Sequence, residues 1–228
     1  MLGNGLGGAY GGLRVEGERP MRRAMRIIAG SAGGITITVP KTSLRPTADR
    51  VREAVFSKLG ELVEGAAVLD LFGGSGSYGL ESLSRGAKRA MFVETDRVAA
   101  QVIRENLGKA RLSGGTVVQM PVENWLRGRG RETGEGERYD LIFADPPYAK
   151  AKGDVDWNGR LLGDAVLPGL LAPGGWFLLE SFARGGAGSV EGSRWELRDE
   201  RRYGDAMIGY YQLKPDPAHA AVDDTAGV

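Results

Sequence analysis

The sequence contains no cysteine and only one histidine, His219, among its 228 residues. Without cysteine the chain has no disulfide framework, no thiol nucleophile and no cysteine-based zinc site. Because His219 lies in a polar C-terminal stretch, the sequence also offers no Ser-His-Asp triad and no histidine-based metal site. Many hydrolase chemistries are thereby excluded, no metal is expected, and the missing cysteine favours a reducing, cytoplasmic setting.

Long apolar runs are also missing. No stretch approaches the roughly 20 apolar residues of a membrane span, and residues 1–24 lack the apolar core of a signal peptide. We therefore expect a soluble protein without a membrane partner. The net charge is only +1, but residues 1–60 carry ten Lys/Arg against four Asp/Glu. This basic N-terminal part is compatible with phosphate contacts at one edge of the protein, and equally with a solvated charged surface.

The order of apolar and polar segments divides the chain into four parts. Residues 1–24 hold seven glycines without periodicity, so we expect a disordered extension. Residues 25–47 begin with two short apolar runs around a glycine-containing turn, which predicts a small basic hairpin. Residues 48–214 are long enough for one α/β domain, and residues 215–228 are expected to be a disordered tail.

The domain alternates apolar runs with helical or linking segments, the runs lying at 67–72, 90–94, 116–119, 139–144 and 175–180. This βαβ repetition predicts an α/β fold with a mostly parallel sheet and helices on both faces. Two further segments, 195–202 and 206–213, are spaced for an antiparallel hairpin. The expected sheet therefore has seven strands.

Two helices are predicted from apolar residues at helical spacing. The first follows Thr47, a candidate N-cap, and its apolar face comprises Val51, Val55, Leu59 and Leu62. Arg50, Arg52 and Lys58 fall mostly on its other faces. The second helix links the second and third strands through Val98, Val102, Ile103 and Leu107. Residues 127–138, rich in Gly, Arg and Glu, are expected to form a loop.

A glycine-rich turn follows the first strand of the domain, with the pattern G-x-G-x-x-G from Gly74 through Gly76 to Gly79. Such glycines let the backbone approach a ligand closely, and the helix that follows favours an anionic group at its N-terminus. Glu94, at the end of the next strand, can accept hydrogen bonds from ribose hydroxyls. The pattern indicates a nucleoside-cofactor site, but it does not separate a dinucleotide from S-adenosylmethionine.

A second motif, Asp145-Pro146-Pro147-Tyr148, follows the apolar strand that ends at Ala144. Its position is the C-terminal edge of the sheet, where open α/β folds bind ligands. Methylation of an exocyclic amine needs acceptors for the amino hydrogens, because the nitrogen lone pair is delocalised into the ring. Asp145 and the carbonyl of Pro146 can serve as those acceptors, and Tyr148 can stack on the target base. The motif therefore favours S-adenosylmethionine as the cofactor and an amino nitrogen of a base as the target.

Four segments occur in one order that resembles the RsmD family: residues 25–30, 44–53, the glycine motif and residues 145–148. The resemblance extends from Met25 to about Leu213. It implies a Rossmann-like class I methyltransferase fold and transfer of a methyl group from S-adenosylmethionine to N2 of a guanine in 16S ribosomal RNA. The implied partner is ribosomal RNA or a small-subunit assembly particle, bound by a monomer.

The resemblance also implies roles for individual residues. The donor would be bound by Asp70, Phe72, Gly74, Ser75, Gly76, Glu94 and Val122, and the target guanine by Asp145, Pro146 and Tyr148. Near the RNA it would place Arg45, Pro46, Thr47 and Arg50, although Thr47 can equally be a helix cap and Arg50 a solvated residue.

Two positions depart from the family pattern. Tyr78 is bulkier than the usual leucine and is expected to alter packing. After the third strand, residues 119–122 (Gln-Met-Pro-Val) stand where related folds often have an Asp or Asn for the adenine amine, so adenine recognition there is expected to depend on backbone and apolar contacts.

Four alternatives stay open. A DNA methyltransferase acting on adenine N6 or cytosine N4 would use the same motifs. A glutamine-directed protein methyltransferase would also methylate an amide nitrogen, but it is less consistent with the basic N-terminal segment. A nicotinamide-dependent oxidoreductase would use the glycine motif and Glu94 and would leave residues 145–148 without a role. A non-catalytic RNA-binding module would keep the fold without turnover.

Overall fold

A computed structural model describes residues 24–40, 48–129, 137–149, 151 and 153–215. Apart from Ala24 and Pro215, the predicted extension and tail lie outside the described residues, as do Arg45, Pro46 and Thr47. Ala24 belongs to the first strand rather than to the extension. Within the described ranges, no helix is long and apolar enough to cross a membrane.

The centre of the molecule is a seven-stranded sheet, which confirms the predicted α/β class. Its strands are β3 (Ala67–Leu71), β4 (Arg89–Glu94), β5 (Gly115–Gln119), β6 (Tyr139–Ala144), β7 (Leu171–Phe182), β8 (Trp195–Tyr203) and β9 (Ala206–Leu213). They lie in the order β5-β4-β3-β6-β7-β9-β8. The first five run parallel, while β9 is antiparallel to both β7 and β8. Every residue of β3 is buried, as expected for a central strand covered on both faces.

Helices cover both faces of this sheet and bury two apolar cores. They are α1 (Ala48–Leu59), α2 (Ser77–Ser84), α3 (Arg97–Ala110), α4 (Val122–Arg129), α5 (Trp157–Leu162) and α6 (Leu167–Leu170). Apolar residues of α1, α2 and α3 belong to one core, and those of α4, α5 and α6 to the other. The connections at the carboxyl ends of β3, β4 and β6 therefore meet at one edge of the sheet.

Several local predictions are wrong. The first helix ends at Leu59, so Leu62 is 53% exposed and Val63 is buried in its place. Val98 lies in the first turn of α3 and is 59% exposed, while Ala99 and Ala100 take the buried positions. Residues 127–129 are the last turn of α4, not the start of a loop.

The N-terminal hairpin pairs β1 (Ala24–Arg26) with β2 (Thr36–Thr38) and is docked by a buried arginine. Arg52 of α1 was expected on a polar face, but its side chain is 2% exposed. Its guanidinium donates to the carbonyl of Arg26 at 2.6 Å and lies 3.6 Å from the Glu81 carboxylate. Glu81 in turn accepts the backbone amides of Ile28 at 2.7 Å and Ala29 at 3.1 Å. A buried charge network therefore holds the hairpin against α1 and α2.

A second anchor joins the hairpin to the glycine-rich turn. The buried Asn106 side chain of α3 accepts the amide of Thr38 and donates to the Thr38 carbonyl, both at 2.9 Å. The same amide nitrogen donates to the carbonyl of Ser75 at 3.2 Å. One asparagine thus fixes β2 relative to the turn that follows β3.

Candidate active site

The glycine loop, residues 72–79, connects β3 to α2 at the carboxyl edge of the sheet. Its backbone enters the left-handed region at Gly74 (φ 54°), at Gly76 (φ 79°) and also at Phe72 (φ 63°). A non-glycine residue in this region is strained, and such strain is retained mostly where the surrounding structure uses it. The amide of Gly73 donates to the carbonyl of Val93 at 2.9 Å, so the loop is held against the end of β4.

Close packing explains why glycine is needed in the loop. A Cβ atom on Gly73 would lie 2.9 Å from the Ile103 side chain, and one on Gly79 would lie 2.2 Å from the ring of Phe92. Gly79 therefore lets the first turn of α2 lie directly on β4. This close approach places the α2 N-terminus beside the ends of β3 and β4, where the predicted donor residues converge.

Asp70 is 3% exposed and accepts the amide of Gly79 at 3.0 Å. Burial raises the pKa of Asp70 well above its usual value, and the nearby carboxylates of Asp145 and Glu94 raise it further. The donating Gly79 amide opposes this shift without cancelling it. Three acidic groups thus converge where the strand ends meet, and a cation among them would relieve their mutual repulsion.

Glu94 is the second buried acid of the cofactor side. One carboxylate oxygen accepts the amide of Gly74 at 2.6 Å, and the other accepts the amide of Asp96 at 2.7 Å. A carboxylate has about four acceptor positions, so both oxygens retain capacity for hydroxyl donors. Glu94 therefore ties the glycine loop to β4 and can still bind a ribose.

The acidic groups and the glycine loop fit the donor named by the sequence. S-adenosylmethionine carries a positive sulfonium and a positive amino group, which the carboxylates of Asp70, Asp145 and Glu94 complement. Its adenosine carries ribose hydroxyls, which Glu94 can accept. Glycines at positions 74 and 76 let the loop backbone adopt its left-handed turns, which a ligand could approach closely.

The other predicted donor residues lie in different surroundings. Ser75 is buried beside Asn106, and the Phe72 ring meets the Trp157 ring edge-on at 4.8 Å between centroids. Val122, at the start of α4, is buried in the apolar core on the α4 face. Its contact with the donor stays a prediction. Across the described ranges, no cluster of three or more His, Cys, Asp or Glu side chains is arranged to hold a metal ion.

The target side begins at Asp145, directly after β6. Its neighbour Pro146 is buried, and Tyr148 is half-buried two residues further on. The Tyr148 hydroxyl donates to one Glu180 carboxylate oxygen at 2.9 Å, and its ring packs against Phe182 at 5.5 Å between centroids. Residues 145–148, here called the DPPY turn, are therefore fixed to the end of the neighbouring strand β7. Of the predicted RNA-facing residues, only Arg50 is described, and it is exposed on α1.

Tyr78 and Glu180 complete this side of the site. The Tyr78 ring stacks on Phe143 at 4.9 Å between centroids, with 11° between the planes, and its hydroxyl donates to Glu180 at 3.3 Å. Burial, followed by the charges of Glu180 and Asp145, raises the pKa of Tyr78 well above its usual value near 10. That Tyr78 alters packing relative to the family pattern stays a prediction, and Glu180 was not predicted. The sequence signal for Glu180 was a carboxylate at the end of the apolar run of β7, the strand next to the one that leads to Asp145.

The strand order, with the glycine loop at the switch point and an antiparallel final pair, defines the class I S-adenosylmethionine-dependent methyltransferase fold. The protein family described as Conserved hypothetical protein 95 matches residues 25–212. The ribosomal RNA small subunit methyltransferase D of Escherichia coli K12 is 34% identical over 189 residues, which is 82% of this chain and 89% of that protein. The chain therefore belongs to the RsmD family, as the sequence motifs predicted.

Solved structures agree with this assignment. The Escherichia coli protein yhhF superimposes with a TM-score of 0.70 and 33% identity, covering 85% of this chain and 100% of that one. A 16S rRNA N2 methyltransferase of Thermus thermophilus, solved with AdoMet and guanosine, gives a TM-score of 0.61 at 20% identity, covering 84% of this chain and 50% of that one. The second likeness extends to the fold alone.

Proposed function

We propose that this protein transfers a methyl group from S-adenosylmethionine to the exocyclic N2 of a guanine in small-subunit ribosomal RNA. The observation that carries the proposal is the juxtaposition of Asp145 with Asp70 and Glu94. Leu71 at the end of β3 pairs with Ala144 at the end of β6, so the glycine loop and the DPPY turn leave the sheet side by side. The name of the Escherichia coli relative, which is similar to this chain over most of its length, supports RNA as the substrate class.

The donor would be held by the glycine loop and by the buried acids Asp70 and Glu94. When bound, it supplies an activated methyl group and leaves as S-adenosylhomocysteine. Because the methyl group is already activated, the protein has to provide alignment rather than a strong nucleophile. Phe72, Ser75 and Val122 would complete the donor site by packing and backbone contacts.

The target nitrogen would be aligned by the DPPY turn. Asp145 and the Pro146 carbonyl accept the two amino hydrogens, which directs the nitrogen lone pair toward the methyl group. Tyr148 stacks on the base and sets its plane. As the nitrogen–carbon bond forms, the nitrogen loses one proton to Asp145 or to water.

RNA would approach from the side of α1 and the segment that precedes it. Arg50 is exposed on α1 and can contact phosphate. Arg45, Pro46 and Thr47, which lie outside the described residues, are proposed to belong to the same RNA-facing segment. The described domain is mostly occupied by the catalytic fold, so recognition would depend on a folded RNA or a small-subunit assembly particle. We propose that the protein works as a monomer in the cytoplasm.

The proposal is tested by transfer of labelled methyl from S-adenosylmethionine to three acceptors: small-subunit particles, deproteinised ribosomal RNA and duplex DNA. Label recovered as N2-methylguanosine is expected, and comparing particle with naked RNA identifies the assembly state. The Asp145→Ala variant serves as the blank. Label in DNA adenine or cytosine would replace the RNA assignment with a DNA amino-methyltransferase. Donor binding without transfer to any acceptor would contradict the proposed activity altogether.

A further inference from the structure

We propose that Glu180 is a positioning residue that fixes the Tyr148 ring for stacking on the target base. Tyr78 fixes Glu180 in turn through a second hydrogen bond. The inference rests on the proposed function, because it assigns a role within the same target site. Glu180 itself is not required to touch the base. It acts through the hydroxyl of Tyr148.

The geometry of the carboxylate carries the inference. One Glu180 oxygen accepts the Tyr148 hydroxyl at 2.9 Å, and the other accepts the Tyr78 hydroxyl at 3.3 Å. The carboxylate thus bridges a tyrosine of the glycine loop and a tyrosine of the DPPY turn. Two bonds from different directions set the carboxylate plane, and the plane of the carboxylate in turn directs the Tyr148 hydroxyl.

The strand backbone that carries Glu180 is held firmly by its neighbours. Glu180 lies on β7, an interior strand that pairs with β6 up to Leu179 and with β9 through Phe182. Its backbone is paired with Ile208, and its side chain is buried. The pairing of β6 with β7 ends at Ala144 and Leu179. Asp145 and Glu180 are the next residue on each strand. Asp145, the proposed acceptor for the target amine, and Glu180, which positions Tyr148, therefore come from the ends of adjacent strands.

Tyr78 is suited to the second hydrogen bond because its ring cannot easily turn. It stacks almost parallel on Phe143 and contacts Phe56 at 6.4 Å between centroids. A tyrosine phenol is protonated at neutral pH, so Tyr78 is a hydrogen-bond donor to Glu180. A leucine at this position, the common residue of the family pattern, would offer no such bond.

Tyr148 is held from a second direction by Phe182, two residues after Glu180 on β7. Side chains at positions i and i+2 of a strand lie on the same face. One strand end therefore fixes both the hydroxyl and the ring face of Tyr148. A base that stacks on a ring held in this way meets Asp145 at a defined angle, which is the condition for in-line transfer.

The test compares two substitutions of one residue. Glu180→Leu removes both acceptors, and we expect kcat to fall about 10-fold or more, with donor affinity and the KM for RNA within about twofold of wild type. Glu180→Gln keeps the side-chain shape, can accept from Tyr148 and can donate to the Tyr78 oxygen. We expect it to restore kcat to within about threefold of wild type. Glu105→Leu, at an exposed position of α3, is the matched control and should leave kcat unchanged.

A double-mutant cycle with Tyr148→Phe provides the decisive readout. Tyr148→Phe keeps the stacking ring and removes the hydroxyl, so we expect it alone to lower kcat about 10-fold. If Glu180 acts through that hydroxyl, Glu180→Leu has little further effect in the Tyr148→Phe background. If the two fold-losses in kcat multiply in the double variant, the proposal is overturned. A Glu180→Gln variant that is as slow as Glu180→Leu would also overturn it, because it would indicate a role for the charge. A Tyr148→Phe enzyme with wild-type kcat would overturn it even if Glu180→Leu fails to fold.

These outcomes are separate from the outcome of the proposed function. The identity of the acceptor is established with the wild-type enzyme alone, by the chemical position of the transferred methyl group. The cycle is then measured on whichever base wild type methylates. A wrong acceptor would therefore appear before any variant is made, whereas a wrong role for Glu180 would appear only in the cycle.

Discussion

At the scale of single residues, Asp145 and Glu94 have different proposed roles, so substitutions at the two positions should affect different steps. We expect Asp145→Ala to abolish turnover while largely sparing donor binding, because it removes the proposed acceptor for the target amine. Glu94→Ala should weaken donor binding by about 1 to 3 kcal/mol through lost hydrogen bonds. Calorimetric titration with S-adenosylmethionine, together with single-turnover rates, separates the two effects. Equal losses of donor affinity in both variants would contradict the assigned roles.

The buried Asp70 should make stability depend on pH. Burial and neighbouring carboxylates raise its pKa above the usual 3.8, so its protonated form stabilises the fold below that value. This stabilisation is lost as pH rises through the folded-state pKa, and the ionised form is unfavourable at neutral pH. Asp70→Asn keeps an acceptor for the Gly79 amide. We therefore expect a higher unfolding temperature than wild type at about pH 7 and weaker donor binding.

Thermal unfolding without donor, repeated at several pH values, measures this effect. The difference in unfolding temperature between Asp70→Asn and wild type should shrink as pH falls toward 3.8. Asp164→Asn, outside the site, is a control for loss of one carboxylate. A difference that does not change with pH would mean that the carboxylate of Asp70 is not the unfavourable group.

At the scale of secondary structure, the contact between α2 and β4 requires Gly79. A Cβ atom there would lie 2.2 Å from the Phe92 ring, so Gly79→Ala should lower the free energy of unfolding by about 1 to 3 kcal/mol. Gly108→Ala in α3 is the matched control, because a Cβ at Gly108 meets nothing within 4 Å. That change should stabilise the protein by about 0.5 to 1 kcal/mol. Urea unfolding of both variants gives the comparison, and equal shifts would argue against the close contact.

Strands and site motifs were predictable from sequence because their signals are local. Buried strands read as apolar runs, and the glycine loop and the DPPY turn each lie next to such a run. The end of α1 was mispredicted, because Leu62 continues the apolar periodicity beyond Leu59, where the helix ends. Val98 lies in α3 as predicted, but it is exposed rather than on the buried face. Hydrophobic spacing identifies a helix more reliably than it identifies where the helix begins or ends.

Charged residues whose partners are distant in sequence were not predictable. Arg52 is buried because Glu81 and the Arg26 carbonyl meet its guanidinium, and neither partner lies within its own helix. Glu180 is buried because its partners, Tyr78 and Tyr148, come from two other connections of the sheet. From the sequence alone, each of these residues is predicted to be exposed, because charged side chains are rarely buried without a partner.

At the scale of the whole molecule, the hairpin and the domain are joined by the Arg52 network. Arg52→Met keeps the length of the side chain but removes its charge, leaving Glu81 with Arg85 at 2.7 Å and two backbone amides. We expect the free energy of unfolding to fall by about 2 to 4 kcal/mol. Hydrogen exchange should quicken across residues 24–40 before it does in the central sheet. Arg50→Met, exposed on the same helix, is the control, and equal behaviour of the two variants would contradict the anchoring role.

The edge-on contact between Phe72 and Trp157 gives the protein an optical reporter of its proposed donor site. Phe72 belongs to the glycine loop, whereas Trp157 is the first residue of α5 and follows the DPPY turn in the sequence. Indole emission responds to the polarity and packing around the ring, so a ligand that reorders the loop should change the fluorescence of Trp157. Of the four tryptophans, Trp125 and Trp195 are buried in the core and would form a steady background. Titration with donor should therefore give a signal in wild type that Trp157→Phe largely removes, allowing affinity to be followed without a label.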